Sequence, residues 1–429
     1  MSSGEGAASQ RGSHPGRRRF VGALAGAAAA GALSSTAGCA SSDPPGRESA
    51  DRTRKDATDR GATDGDATRQ EPDPSASHRP RRERQLFLGT YTSQEGGGTG
   101  IGRATYDETT GRVTGTGTGT ISGVPDPSYL ALHPSGRTLY AVSEREKGAV
   151  TAIALSPGGA HKILGTRGTG GAHPCHLSVH PSGRWLLSAN YLSGSVAVHP
   201  LQKSGALGER TDVVTHSSPP PGPGQDGPHA HQISTAPDGR HILAVDLGND
   251  TVYTYRLDRE AGTLRRVSHA VLRPGAGPRH LAFHPSGHFA YLANEVDDTV
   301  VVCAYDPATG RLTPGEPQST GSGEGTNHPA QLVVARDGRF AYLANRGHNS
   351  LARYAIERGG ARLRLLDTVP VRGDFPRHLA LSPSGRLLFT ANQKSDSVSV
   401  FHVDPRGGEL RPAGQPFRAR AAVCVLPAA

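Results

Sequence analysis

From Leu86 onward, large apolar residues alternate with polar ones in short runs, and the runs come in pairs joined by PSG, PDG or RDG. A period of two puts alternate side chains on one face of an extended chain, so each run predicts a half-buried strand. The joining tripeptides supply turn residues, so each pair predicts a hairpin. Six such units begin PSYLALHPSGRTLY at Pro127, PCHLSVHPSGRWLL at Pro174, PHAHQISTAPDGRHIL at Pro228, PRHLAFHPSGHFAY at Pro278, PAQLVVARDGRFAY at Pro329 and PRHLALSPSGRLLF at Pro376. Start-to-start spacings are 47, 54, 50, 51 and 47 residues. A third run follows in each unit, such as TVYTYRL at 251–257, and a fourth lies beyond a Gly-rich turn, such as RLRLLDTV at 362–369. No window carries the 3.6-residue period of a helix.

Four short antiparallel strands per repeat make a propeller blade. The runs LFLGTYT and IGRATYD near the start of the domain, and AAVCVLP at 421–427, are left over. Together they supply the strands of one more blade. The predicted fold is therefore an all-β, seven-bladed β-propeller with four-stranded antiparallel blades, closed by pairing of N- and C-terminal strands. Such closure removes an exposed edge.

Residues 1–85 are of another kind, poor in large apolar side chains and rich in Gly, Ala, Ser, Asp and Arg. RRRF at 17–20, the short apolar run VGALAGAAAAGAL and the small residues STAG before Cys39 have the form of an export signal rather than a spanning helix. The adjacent arginines point to the twin-arginine route. The small residues before Cys39 resemble a lipobox, which makes Cys39 a candidate lipidation site; a plain cleaved signal is the alternative. Residues 1–39 are thus read as the signal, 40–85 as a flexible tether and 86–429 as the propeller. The expected location is outside the cytoplasm, lipid-anchored at the outer face of a bacterial cell membrane, with that anchor as the sole membrane contact.

The net charge of +9 is spread along the chain, without the Lys/Arg stripe that nucleic-acid modules use, so no nucleic-acid partner is expected. Cys175, Cys303 and Cys424 lie in apolar runs without metal-ligand spacing and read as buried thiols.

Function is sought where the repeats disagree. The start of a blade's first strand and the end of its second lie at one rim of the ring. The position six residues before the turn reads Ser128, Cys175, His231, Arg279, Ala330, Arg377, and the position sixteen further on reads Glu144, Tyr191, Leu247, Glu295, Arg346, Gln393. Between them the strands are repetitive and apolar. A repeated scaffold with unrepeated polar residues at one rim is how a propeller carries a site. The neighbouring His176, Gln232, His280, Gln331 and His378, with His229 just before His231, add imidazoles to the same mouth. Guanidiniums match carboxylate and phosphate geometry, so the mouth suits a small, anionic, oxygen-rich molecule.

Several features have plainer readings. His133, His180 and His284 before PSG are expected to cap the far-rim turn, and Asn190, Asn294, Asn345 and Asn392 to satisfy backbone groups at strand ends. Arg279 and Glu295 can form a purely structural ion pair. His229 and His231 stand two apart, but no carboxylate or cysteine accompanies them at ligand spacing, so no metal or other cofactor is expected. The run GTGTGTI at 115–121 lacks the GK[ST] of a phosphate loop, and no G-x-S-x-G elbow is present.

The blocks PHAHQI, GAGPRHLAFHPSG, LANEVDDTV, LANRGHNS and ANQKSDSVSVF, in that order, resemble the seven-bladed propeller lactonases, which include bacterial 6-phosphogluconolactonases and fungal carboxy-muconate cyclases. The resemblance covers about 86–427. It implies a catalytic group at His231, Arg279, Glu295 and Arg346, four positions that the rim comparison also selects. The expected activity is hydrolysis of a sugar-acid or similar anionic lactone: His231 acts as base, Glu295 orients it or the water, and Arg279 and Arg346 hold the anion and the oxyanion. His229, His176, His280, Arg377 and Glu144 are the expected substrate-binding residues. A non-catalytic binding propeller and a muconate-type cycloisomerase remain alternatives. The natural lactone and the oligomeric state stay open, with a monomer as the working expectation.

Overall fold

A computed structural model describes residues 83–156, 159–217 and 225–428 of the chain. The signal, Cys39 and the tether up to residue 82 lie outside the described residues. The first strand, Glu83–Thr90, begins three residues before the alternation at Leu86, because Glu83 and Arg84 still pair with Asp107 and Tyr106 of the next strand.

Seven sheets follow the order that the repeats foretold. Blade 1 is closed by the C-terminal strand: Ala422–Pro427 lies innermost, followed by Glu83–Thr90, Ile101–Asp107 and Val113–Ile121. Blades 2 to 7 each begin with their own inner strand, namely Leu130–Leu132, Pro174–Val179, Ala230–Thr235, Pro278–Phe283, His328–Val334 and Pro376–Leu381. In blade 7 the outer strand is split into Leu410–Pro412 and Phe417–Arg418, both paired with Ser397–Val403.

The core lies between blades rather than within one. Trp185, Leu187 and Ala189 of blade 3 pack on Ile242, Ala244, Tyr253 and Tyr255 of blade 4. Burying a large apolar side chain of this kind contributes about 1.5–3 kcal/mol. Polar latches fix the angle between neighbours. The hydroxyls of buried Tyr140, Tyr291 and Tyr342 donate to the carbonyls of Gly205, Gly360 and Gly408 in the following blade, at 2.8, 2.9 and 2.9 Å.

At the far rim the PSG turns behave as the sequence indicates. His133 Nδ1 accepts the Ser135 N–H, so its Nε2 donates to Gly183 O of the next blade at 3.0 Å. His284 does the same with Ser286 and Gly338. His180 accepts from the Ser182 N–H in the same way. Each turn glycine, such as Gly136 and Gly287, sits near φ +70°, a conformation open to glycine at little cost.

Candidate active site

The near rim is built from β-bulges. In blade 5, Pro278 pairs with Asn294 and His280 with Ala293, so Arg279 stands between them without a ladder partner. Cys175, His231 and Arg377 occupy the same unpaired position in blades 3, 4 and 7. A bulge frees one residue from the pleat and re-aims its side chain. This explains why that position varies while its neighbours repeat. The residue two before the bulge adopts a left-handed backbone in blades 3, 5 and 7, at His173, Gly277 and Phe375, as does Asp126 two before Ser128 in blade 2. Its carbonyl accepts the N–H of the residue just after the second strand, as Gly277 O does from Glu295 at 2.7 Å and Phe375 O from Gln393 at 3.1 Å. Both rim positions of a blade are thereby locked together.

Glu295 is the hub of the mouth. Its Oε2 lies 2.9 Å from Arg279 Nε and 2.6 Å from Arg346 Nη2. Arg346 is held further by His328 O, 3.0 Å from its Nε, and its guanidinium lies 5.4 Å from the Phe375 ring centre. Burial pushes the Glu295 carboxyl up, but Arg346 and Arg279 outweigh it and hold the pKa at about 2. Burial and the neighbouring Arg346 lower Arg279 to about 9, which leaves it protonated at neutral pH. The carboxylate of Glu295 therefore bridges two guanidiniums, with no hydrogen bond to His231 among the described residues. It stands as their shared counter-ion.

The opposite side of the mouth is built by blades 1, 2 and 7. Glu144 Oε2 accepts from Tyr91 Oη at 3.0 Å and from Ser128 Oγ. The Arg377 guanidinium lies 5.8 Å from the Tyr91 ring centre, with no ion pair or hydrogen bond among the described residues. Three guanidiniums thus face two carboxyl groups.

His231 stands between the halves, 5% exposed, its ring edge-on to Tyr191 at 5.7 Å and to His280 at 5.1 Å. Burial, then Arg279, Arg377 and Arg346, drive its pKa well below the usual imidazole value, so the ring is neutral. Its Nδ1 is buried without a hydrogen-bond partner among the described residues, as are His280 Nδ1 and Arg279 Nη1. His229 forms a wall: its ring stacks on Tyr191 at 4.5 Å, and its two nitrogens meet Tyr191 O and Asp226 Oδ1, each at 3.0 Å.

The residues after the bulges divide by task. His176 Nδ1, Gln232 Oε1 and His378 Nδ1 each face the inner-strand N–H of the following blade, from Ile233 (3.4 Å), Leu281 (2.7 Å) and Val425 (3.5 Å). They join blades, and the accepting Nδ1 places the proton of His176 and His378 on Nε2. Their rings, with Tyr129 and His280, form an aromatic collar: Tyr129 lies 4.2 Å from His176 and 5.3 Å from His378. Burial, reinforced by charged neighbours, lowers His176 and His378 to about 3. Cys175 is buried and directs its thiol to His231 O at 3.4 Å, and burial pushes the thiol up.

Among the described residues no group of three or more His, Cys, Asp or Glu side chains is arranged to hold a metal ion. A groove of about 930 Å³ on the outer edge between blades 1 and 7, lined by Arg112, Val113, Val400 and Phe417, contains none of the mouth residues. Sequence reasoning missed Tyr91, Tyr129 and Phe375. The signal for Phe375 was its place two residues before Arg377, matching Gly277 before Arg279.

A family model described as Lactonase, 7-bladed beta-propeller matches residues 85–427. A 6-phosphogluconolactonase from Bacillus subtilis is 30% identical over 328 residues, 76% of this chain and 92% of the relative. Among solved structures, a periplasmic gluconolactonase from Pseudomonas aeruginosa superposes with a TM-score of 0.75 at 31% identity, over 81% of this chain and 99% of that one. A putative 6-phosphogluconolactonase from Bacteroides fragilis gives 0.74 at 28% identity, over 84% and 100%.

Proposed function

The chain belongs to the seven-bladed β-propeller lactonase family, and on that premise we propose that it hydrolyses a small anionic lactone of the sugar-acid kind where its three arginines converge. The observation that carries this reading is the unbalanced guanidinium: Arg377 has no ion pair or hydrogen bond, and Arg279 Nη1 no hydrogen-bond partner, among the described residues. Arg377 is the anchor for the substrate's anionic group. Arg279 and Arg346, fixed by Glu295, face the oxygen on which charge develops.

His231 accepts a proton from water as the water oxygen bonds to the lactone carbonyl carbon. The ring C–O bond then breaks, and the proton passes to the departing ring oxygen, leaving a hydroxy acid. Among these side chains alone His231 is a weak base, because burial and the three arginines disfavour its cation. An anion seated among those arginines offsets their field and raises the basicity of His231 where it is needed. Glu144, His229, His176 and His280 shape the surrounding wall.

The reading also places the enzyme outside the cytoplasm, with Cys39 as the lipid-anchor site. A likeness to a periplasmic gluconolactonase and the signal-like run at 17–39 support it. A panel of sugar-acid lactones and muconates, incubated with wild type and His231→Ala and resolved by chromatography, tests the activity. Lactone opening by the wild type, lost in a cooperatively melting His231→Ala, is expected. Full activity in that variant ends the assignment. Lactone formed from a muconate would mark a cycloisomerase, and ligand-raised melting without turnover a binding protein.

A further inference from the structure

Four residues of the mouth are held from behind by side-chain oxygens that touch no reacting group, fully buried in Asp250 and Asp246 and partly buried in Asp298 and Asn349. Asp250 shows this most clearly. It is fully buried and adopts a left-handed backbone, φ +52°. Its Oδ2 accepts the Gly275 N–H at 2.6 Å, and its Oδ1 accepts Gly277 N–H at 2.6 Å and Gln225 Nε2 at 2.9 Å. Gly277 in turn offers its carbonyl to the Glu295 N–H and precedes Arg279 by two residues. The link is tight, since a Cβ on Gly277 would come within 2.2 Å of Val296 Cγ2.

The neighbouring blades repeat the device. Asp298, φ +55°, accepts from Asn327 Nδ2 at 2.6 Å, and the next residue's carbonyl, His328 O, holds Arg346. Asn349, φ +56°, accepts the Phe375 N–H at 2.8 Å, two residues before Arg377. Where the corresponding residue is Gly194, the task falls to Asp246: its Oδ1 accepts the His229 N–H at 2.7 Å, two residues before His231, and its Oδ2 meets His216 Nδ1 at 2.5 Å. Asp396 makes the same bond to Ala421 N–H, so the device also serves the blade that closes the ring.

We propose that Asp250 is a positioning residue that aims Arg279 and Glu295, the leading member of an outer tether ring in which Asp298, Asn349 and Asp246 serve Arg346, Arg377 and His231. Groups that orient the functional side chains commonly matter nearly as much as those side chains themselves. The inference rests on the proposed reaction for its kinetic consequence, but not for its geometric one. An amide at Asp250 cannot accept from both glycine N–H groups, because its nitrogen carries protons where an oxygen lone pair was.

The decisive experiment is a crystal structure of Asp250→Asn together with a double-mutant cycle. The guanidinium of Arg279 should move off Glu295 while the blade cores stay in place. An unmoved Arg279–Glu295 pair overturns the proposal whatever the substrate proves to be. With a lactone that the wild type hydrolyses, Asp250→Asn should lower kcat tenfold or more, yet cost less than threefold in an Arg279→Ala background and its full factor in an Arg377→Ala background. Equal losses in both backgrounds mark a merely structural residue. Should Asp250→Asn fail to fold, Asn349→Ala gives the parallel test: Arg377 and Phe375 should shift, with KM rising and kcat nearly unchanged, and an unmoved Arg377 refutes the tether ring. A wild type that hydrolyses no lactone overturns the proposed reaction, while the positional result still decides the tether.

Discussion

Replacing Glu295 with Gln is the perturbation whose size the structure fixes best. The carboxylate is mostly buried, with 18% of its side chain exposed, and lies within 3 Å of two guanidiniums. Its pKa falls from an ordinary 4.5 to about 2, which corresponds to about 3 kcal/mol of stability at pH 7. Breaking a buried pair by removing one partner costs a similar amount, about 3–5 kcal/mol. The arginines themselves lie lower than usual, because burial and mutual repulsion disfavour them. The net worth of the cluster is therefore smaller than the Glu295 share, but both arginines stay protonated throughout the acid range. The pH dependence there belongs to Glu295 alone among the three. Because its folded-state pKa is depressed, the stabilisation is complete above about pH 4.5 and is lost as pH falls towards 2. Urea melts of wild type and Glu295→Gln should differ by about 3 kcal/mol at pH 7, by about half that at pH 3 and by little at pH 2. A gap that stays constant between pH 7 and pH 2 would refute the triad as described.

Three further outcomes are expected. Arg377→Ala should raise KM for an anionic lactone by about 10- to 100-fold, the worth of one charge-assisted contact, and leave an uncharged lactone nearly unaffected; equal losses on both would remove Arg377 as the anion anchor. Tyr342→Phe should lower stability by about 1–2 kcal/mol in thermal melts by stranding Gly408 O, with kcat/KM unchanged, and a neutral effect would show that the latch holds nothing. Exhaustive chelation should leave hydrolysis intact, and loss restored by added metal would require a metal-bound water instead.

Much of the architecture was legible because a propeller writes its fold as a period. The six PSG-type turns, the alternation beside them and the orphan run AAVCVLP suffice to place seven blades and the closing strand. Arg279, Glu295, Arg346 and His231 were legible as departures from that period. Their mutual geometry was not. The bulges that re-aim Cys175, His231, Arg279 and Arg377 arise from register slips of one residue, and the repeated text hides them because these four copies slip alike. The Arg279–Glu295 pair within one blade was foreseeable, but the second arginine on Glu295 is Arg346 of the next blade, about fifty residues on, a contact that no local pattern encodes. His176 and His378 were legible as imidazoles of the mouth, but not as joints that face a backbone N–H of the neighbouring blade. Phe375 and Tyr91 were passed over because single aromatics carry no period.

The strand Ala422–Pro427 sits nearest the axis of blade 1, bonded along Glu83–Thr90 and tied at its end by the Ala428 N–H to Gln85 O. It is made after every other strand of the ring, so Leu86 and Leu88 await their innermost neighbour until the rest of the propeller has been translated. Deletion of Ala422–Pro427 alone would strip one strand and, with it, the cover on Leu387 and Phe389 of the adjoining blade. Damage would spread to both sides of the seam, and so small a deletion should abolish soluble expression.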